Sequence, residues 1–179
     1  MAKFVLVFCV LSAASAFMIA AAGQGGAPNA AAKKLQAGAP SSATQPYLLL
    51  TGTSLRETIQ NLQSGNGSQN LMNADPLSCR VYIQHEKDVT TNPAEVHDGA
   101  DDIFLILEGT ATYILGGTLD APQETQPGEW RAPNITNGKE YKLVKGDMLI
   151  VPRGTPHRRT TAGLEATFMV IKAFAPIAK

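Results

Sequence analysis

The second part of the chain contains six short runs in which apolar and polar residues alternate, with Gly and Pro residues between them. Such alternation gives a β-strand one buried face and one solvent-facing face. The runs span residues 79–89, 103–108, 110–115, 141–144, 147–152 and 165–173. Sixteen Gly and eleven Pro among 179 residues suit a turn-rich β structure better than a helical bundle. The pattern predicts an all-β fold, a sandwich or a barrel, in a single domain.

The N-terminal residues have the features of a secretory signal peptide. Lys3 precedes an apolar run from Phe4 to Ala22, and small-residue exits of the A-x-A type end at Ala16 and Ala22. We therefore predict a signal peptide over residues 1–22 and a secreted or periplasmic protein that is free of the membrane after cleavage. The alternative is an uncleaved anchor, because about nineteen apolar or small residues can just span a bilayer.

Two segments separate the predicted signal peptide from the first predicted strand. Residues 23–46 consist mainly of Gly, Ala, Pro, Ser and Gln without a periodic apolar pattern, which predicts a flexible linker. Residues 47–78 should form an N-terminal helix and arm. Ser54 and Glu57 have the spacing of a capping box before apolar residues at helical intervals, so we expect one short amphipathic helix with Ser54 as its N-cap.

Charge and cysteine content exclude some functions. The chain has 15 Lys and Arg against 15 Asp and Glu, so it lacks the basic excess that nucleic-acid-binding proteins carry. Loss of the signal peptide would remove Cys9 and leave Cys79 alone, which excludes an intramolecular disulfide. Cys79 has the strand parity of Val81 and Ile83, and this parity favours an inert core thiol over a reactive one.

Two short segments contain the residue types of a metal site. Glu95 and His97 are two residues apart, so on a strand their side chains point to the same face. Asp102 opens the next strand, and Asp101 is its rival because neighbouring residues point to opposite faces. In the second segment, tight turns lead to His157 and would fix its imidazole in place. Carboxylates and imidazoles that converge can bind a divalent metal; the alternative is that the carboxylates are solvated at a rim and the histidine caps a turn.

The second of these segments resembles the second motif of the cupin family, G-x5-P-x-G-x2-H-x3-N. Gly146, Pro152, Gly154 and His157 keep its spacing, and Thr161 replaces the final Asn.

The first segment resembles the first cupin motif, G-x5-H-x-H-x3,4-E-x6-G, in an altered form. Glu95 takes the place of the first histidine and Asp102 that of the glutamate, while His97 and Gly109 are retained. Val89 stands where the first glycine would be. Every substituted ligand position still has a side chain that can bind a metal, which favours a working site over a relic.

The resemblance implies a single jelly-roll β-barrel over residues 79–174, preceded by the short N-terminal helix. It implies a divalent metal ion in the barrel mouth, manganese, iron or zinc, beside a small-molecule ligand or substrate. It also implies a homodimer. By this resemblance the metal ligands are Glu95, His97, Asp102 and His157.

Three further features leave alternatives open. His85 lies in phase with Ile83 and is either an acid or base in the pocket or a hydrogen-bonded strand residue. The polar connection between residues 115 and 141 is long enough for a lid or pocket rim, and its Trp130 either stacks on a ligand or pins the loop. Phe104 and Ile106 share the parity of Asp102 and form either an apolar wall for a small organic ligand or ordinary core.

Two classes of function remain. The first is a metal-dependent enzyme, for example an oxygenase or an isomerase, that acts on a small organic molecule. The second is a non-catalytic cupin that binds a small molecule or a sugar. Neither a G-x-S-x-G elbow nor a phosphate-binding glycine motif occurs, so covalent acyl transfer and nucleotide binding have no support. The sequence assigns no catalytic residue.

We expect the mature chain to begin after Ala16 or Ala22, because a positive residue, an apolar run and A-x-A exits occur in that order. Intact-mass analysis of the exported protein measures this directly. Retention of residues 1–22 together with fractionation into membranes would show an anchor instead.

Overall fold

The structure, a computed structural model, describes residues 46–73 and 79–175. Within these residues the chain forms one helix and twelve strands. In chain order the elements are α1 (Gly52–Leu62), β1 (Gly67–Asn73), β2 (Cys79–Lys87), β3 (Ala94–His97), β4 (Ala100–Leu115), β5 (Thr118–Leu119), β6 (Gln123–Gln126), β7 (Glu129–Ala132), β8 (Ile135–Thr136), β9 (Lys139–Val144), β10 (Met148–Val151), β11 (His157–Thr160) and β12 (Glu165–Phe174). The predicted all-β fold is confirmed. The predicted signal peptide over 1–22 and the predicted linker up to residue 45 lie outside the described residues.

Two sheets form the sandwich, and β4 belongs to both, while β5 and β8 pair in a separate two-stranded sheet. The first sheet contains β1, β2, β12, the N-terminal half of β4 and β10. The second contains β9, the C-terminal half of β4, β11, β3, β7 and β6. Within the described residues these pairings do not close into a ring, so the fold is a jelly-roll sandwich rather than a fully paired barrel.

The larger of two buried apolar clusters in the described residues lies between the two sheets. Phe104 and Ile106 come from the first half of β4, Tyr113 from its second half, and Phe168 and Val170 from β12. All five are at most 1% exposed. This confirms the inward direction that strand parity predicts for Phe104 and Ile106, and it fixes which residues of β4 and β12 face the interior.

The helix α1 begins one residue after Thr51, not after Ser54. Thr51 has extended backbone angles (φ −73°, ψ 158°), and its side-chain oxygen accepts a hydrogen bond from the Ser54 amide at 3.1 Å. The predicted N-cap is therefore wrong. Ser54 already lies inside the first turn, where its hydroxyl donates to the carbonyl oxygen of Thr51. Among the described residues, the helical part of the chain is too short to cross a membrane.

Gly109 lies where β4 passes from one sheet to the other. Its φ of +75° belongs to the left-handed region, and a Cβ atom there would lie 2.0 Å from the carbonyl oxygen of Glu165 on β12. Only glycine satisfies both conditions, because any side chain would collide with the backbone of the neighbouring strand. The two runs predicted on either side of Gly109 thereby become one sixteen-residue strand.

We predict that Gly109→Ala lowers the free energy of unfolding by about 3 kcal/mol, since it adds a backbone collision to a strained φ. Gly163→Ala is the matched control. Gly163 also has a positive φ, of +64°, but no atom lies within 4 Å of the point that a Cβ atom would occupy there, so the loss should be about 1 kcal/mol. Chemical denaturation of both variants measures the difference. Equal losses would show that the contact with Glu165 has no effect.

Candidate metal centre

Four side chains from three strands come together beside a cavity that two of them line. Glu95 and His97 lie on β3, Asp102 lies on β4 and His157 lies on β11. Each residue offers one potential ligand atom, and these four atoms all lie within 4.8 Å of one another. The pairing of β3 with β11 places His157 directly opposite Glu95, which joins the two motif segments. The structure thus brings together all four residues that the sequence nominates.

Both imidazole rings of this cluster are held by their Nδ1 atoms. The Nδ1 atom of His97 lies 2.7 Å from a carboxylate oxygen of Glu129, and His157 Nδ1 donates to the carbonyl oxygen of Thr155 at 3.0 Å. Because both partners are oxygen acceptors, a neutral ring at either position carries its proton on Nδ1. The Nε2 lone pair of that ring is then available to a metal ion. Both Nε2 atoms are buried and have no hydrogen-bond partner among the described residues.

The two unpartnered Nε2 atoms face two carboxylates. His97 Nε2 lies 3.3 Å from an oxygen of Asp102 and 3.8 Å from one of Glu95. His157 Nε2 lies 3.2 Å from Glu95 and 3.6 Å from Asp102. The donor set is thus two imidazole nitrogens and two carboxylates, which suits manganese, iron or zinc better than metals that prefer sulfur ligands.

The histidines and carboxylates of the cluster shift one another's pKa values towards the charged forms. Burial alone would lower the pKa of His97, but its interactions with Asp102 and Glu95 outweigh burial and raise that pKa to about 9. Burial would raise the pKa values of Glu95 and Asp102, but the two histidines outweigh it, so both carboxyls have pKa values well below the ordinary range. The carboxylates are therefore ionised at neutral pH, as metal binding requires.

Three charged residues surround the cluster, and the sequence did not single them out as site residues. Lys172 Nζ contacts both carboxylate oxygens of Asp102, at 2.7 and 2.9 Å. Arg131 lies 3.1 Å from Glu95 and 3.6 Å from Glu129, the residue that holds His97. Glu129 and Arg131 belong to β7, inside the segment predicted as a long connection, and Lys172 belongs to β12. Alternation in β12 could have placed Lys172 inward, but no local pattern indicates its partner.

The structure resolves several of the open alternatives. Asp101 is bound by Arg153 outside the cluster, so Asp102 is the carboxylate that joins it. His85 lies outside the cluster, and its Nδ1 atom is 2.9 Å from the Thr167 hydroxyl. This position fits a hydrogen-bonded strand residue rather than an acid or base in the pocket. Trp130 donates to Asp98 at 2.9 Å, which supports its role in pinning this segment.

A cavity of about 440 Å³ opens onto the two carboxylates of the cluster. The segment predicted as a lid or rim supplies part of its wall. Aromatic side chains and four cationic residues supply most of the rest. The lining residues are Arg80, Tyr82, Glu95, Asp102, Phe104, Thr125, Gln126, Glu129, Arg131, Arg159, Lys172 and Phe174. A volume of this size accepts a small organic molecule.

The sequence matches no protein-family model and no curated protein. Among solved structures, a protein of Bacillus halodurans is similar with a TM-score of 0.52 and 16% identity, over 76% of this chain and 88% of that chain. A cupin superfamily protein of Desulfitobacterium hafniense gives a TM-score of 0.43 and 20% identity, over 62% of this chain and 78% of that one. A DMSP lyase of Ruegeria pomeroyi gives 0.45 and 17%, over 66% of this chain and 52% of the lyase.

The fold is a cupin fold. The similarity to the Bacillus halodurans protein concerns the fold alone. In this chain the two motif segments lie on paired strands, β3 and β11, and their ligand-type residues converge. The resemblance that the motif spacing indicates is thereby confirmed at the level of the fold.

We predict that the metal-free protein becomes less stable as the pH rises from 7 to 9.5. The pKa of His97 is raised from 6.5 to about 9 in the folded chain. The protonated ring therefore contributes stability that is complete below about pH 6.5 and is lost as the pH rises through about 9. The melting temperature of chelator-treated protein, followed by circular dichroism, measures this. His97→Gln should give a shallower fall, and a melting temperature that rises over this range would contradict the prediction.

Proposed function

We propose that this protein binds one divalent metal ion through Glu95, His97, Asp102 and His157 and holds a small organic molecule in the adjoining cavity. The observation that carries the proposal is the pair of buried Nε2 atoms without hydrogen-bond partners, directed at two ionised carboxylates. Without a metal, the raised pKa of His97 means that a proton on this ring offsets part of the charge of the two carboxylates. A metal ion would satisfy both nitrogens at once.

The donor set defines the character of such a site. Two carboxylates neutralise a divalent ion, whereas three histidines and one carboxylate leave a positive centre, so this site should be the weaker Lewis acid. The bound metal would polarise an oxygen atom of the ligand. The protein's own residues orient the donors: Glu129 holds His97, the Thr155 carbonyl holds His157, and Lys172 holds Asp102.

The proposed activity is that of a metal-dependent cupin enzyme, an oxygenase or an isomerase. Its support is the cavity, which reaches Glu95 and Asp102 and so lets a bound molecule contact the metal ligands. Beside the candidate ligands, the described lining offers few groups that could accept a proton. Glu129 is engaged with His97, and burial raises the pKa of Tyr82 to about 12. This scarcity is the observation that supports a second candidate, a cupin that binds a small molecule or a sugar without converting it.

We also propose that the protein works outside the cytoplasm, secreted or periplasmic, on the support of the signal-peptide features over residues 1–22. The homodimer stays a prediction. Met148 and Ile150, each 60% exposed on β10, are the apolar residues that a second copy could cover.

We predict that chelator-treated protein reloaded with Mn²⁺, Fe²⁺ or Zn²⁺ and then desalted retains one ion per chain. His97→Ala and His157→Ala should each reduce the retained metal to about a tenth, because each removes one of two nitrogen donors. Elemental analysis by mass spectrometry gives the stoichiometry, and circular dichroism shows whether each variant is folded.

The matched control is His85→Ala, which removes the third histidine of the chain. His85 is equally buried, at 1% exposure, but does not belong to the cluster, so this variant should retain full metal. Full occupancy in the double variant His97→Ala/His157→Ala would place the ion elsewhere and refute the site. Dioxygen consumption and product formation with pools of small molecules then separate the two candidates, since metal without turnover favours the binding protein.

A further inference from the structure

On both sheets, residues paired across neighbouring strands place cationic side chains beside the candidate metal ligands. On the first sheet, Asp102 of β4 pairs with Lys172 of β12, which pairs with Arg80 of β2. On the second sheet, Glu95 of β3 pairs on one side with His157 and on the other with Arg131. Each wall therefore has a candidate ligand and, on the next strand, a cation.

The fourth cationic residue of the cavity is already neutralised. Arg159 makes two hydrogen bonds with Glu86, at 2.7 and 2.9 Å, and its guanidinium lies 4.4 Å from the centre of the Phe168 ring. Glu86 is 4% exposed. This buried pair contributes no net charge to the cavity, and its rigid geometry fixes one wall.

Without the Arg159–Glu86 pair, and with a metal ion bound, the cavity lining has more cationic side chains than carboxylates that are free to balance them. A divalent ion, which is the proposed function on which this inference rests, balances the charges of Glu95 and Asp102. Lys172, Arg131 and Arg80 then face only Glu129 in the lining. Arg80 has no carboxylate within salt-bridge distance among residues 46–73 and 79–175, and its guanidinium lies 5.7 Å from the centre of the Phe174 ring.

We propose that the molecule held in this cavity is a small organic acid whose carboxylate lies between Arg80, Lys172 and Arg131. Guanidinium and ammonium groups bind carboxylates by charge-assisted hydrogen bonds. Phe104, Phe174 and the ring of Tyr82 supply apolar surface for the carbon skeleton. Neighbouring strands are about 4.8 Å apart, so Arg80 lies two strands, roughly 10 Å of backbone, from Asp102. An acid of a few carbons is long enough to reach from Arg80 towards the metal ligands.

Calorimetric titration of the metal-loaded protein with succinate and with its neutral analogue succinamide tests this inference. Succinate should bind at least about tenfold more tightly, because only the acid carries the negative charge that offsets the excess of cations over carboxylates in the lining. Arg80→Gln should weaken succinate binding by about tenfold and leave the metal content unchanged, since Arg80 does not contact the metal ligands. Arg56→Gln on α1, outside the cavity, is the matched control and should bind succinate as the wild type does.

Equal binding of succinate and succinamide, binding of neither, or an Arg80→Gln variant that binds succinate as the wild type does would overturn the inference. Inorganic phosphate that binds as tightly as succinate would also overturn it, because the carbon skeleton would then contribute nothing. Metal analysis of the same samples tests the proposed function separately. Selectivity for succinate in a protein that retains no metal would refute the metal site and the charge balance drawn from it, and would leave Arg80, which has no carboxylate partner among the described residues, as the group that binds the acid. Metal without selectivity would keep the metal site and refute the acid-binding pocket.

Discussion

The pairing of Glu95 on β3 with His157 on β11 joins the two halves of the candidate site. The two residues are 62 positions apart in the chain, and their side chains meet at 3.2 Å. β11 also pairs with the second half of β4, whose first half carries Asp102. A shift of either strand by one residue would turn His157 or the Glu95 and His97 pair to the other face. The geometry of the whole cluster therefore depends on the register of these short strands.

The surrounding residues compensate the negative charge of the two carboxylates in the cluster. A carboxylate removed from water costs several kcal/mol unless it is paired; Asp102 is buried, and Glu95 is 25% exposed. Lys172 compensates Asp102, Arg131 compensates Glu95, and the two imidazoles lie between the carboxylates. The outer cations thus stabilise the two carboxylates, and under our proposals they would attract an anion once a metal ion takes over that compensation.

The segment between β4 and β9 shows how a functional wall can escape sequence analysis. Its length and polarity predict an irregular rim, and it does line the cavity through Thr125 and Gln126. It also contains β7, which pairs with β3 so that Glu129 stands opposite His97 and Arg131 opposite Glu95. Strands of two to four residues are too short for alternation to be recognised, so their existence depends on the partner strand.

The sequence by itself determined the all-β class, the inward parity of Phe104 and Ile106, and the four residues that converge. These features are local: alternation, the two-residue spacing of Glu95 and His97, and the fixed intervals around His157 all lie within a few residues of the chain. The tertiary structure decided which residues support and surround them. Glu129 reaches His97 across 32 positions and Lys172 reaches Asp102 across 70, and such contacts arise from strand order and register, which no local pattern encodes. For the same reason the charge of the cavity, with Arg80 two strands away from Asp102, became visible only in the folded chain.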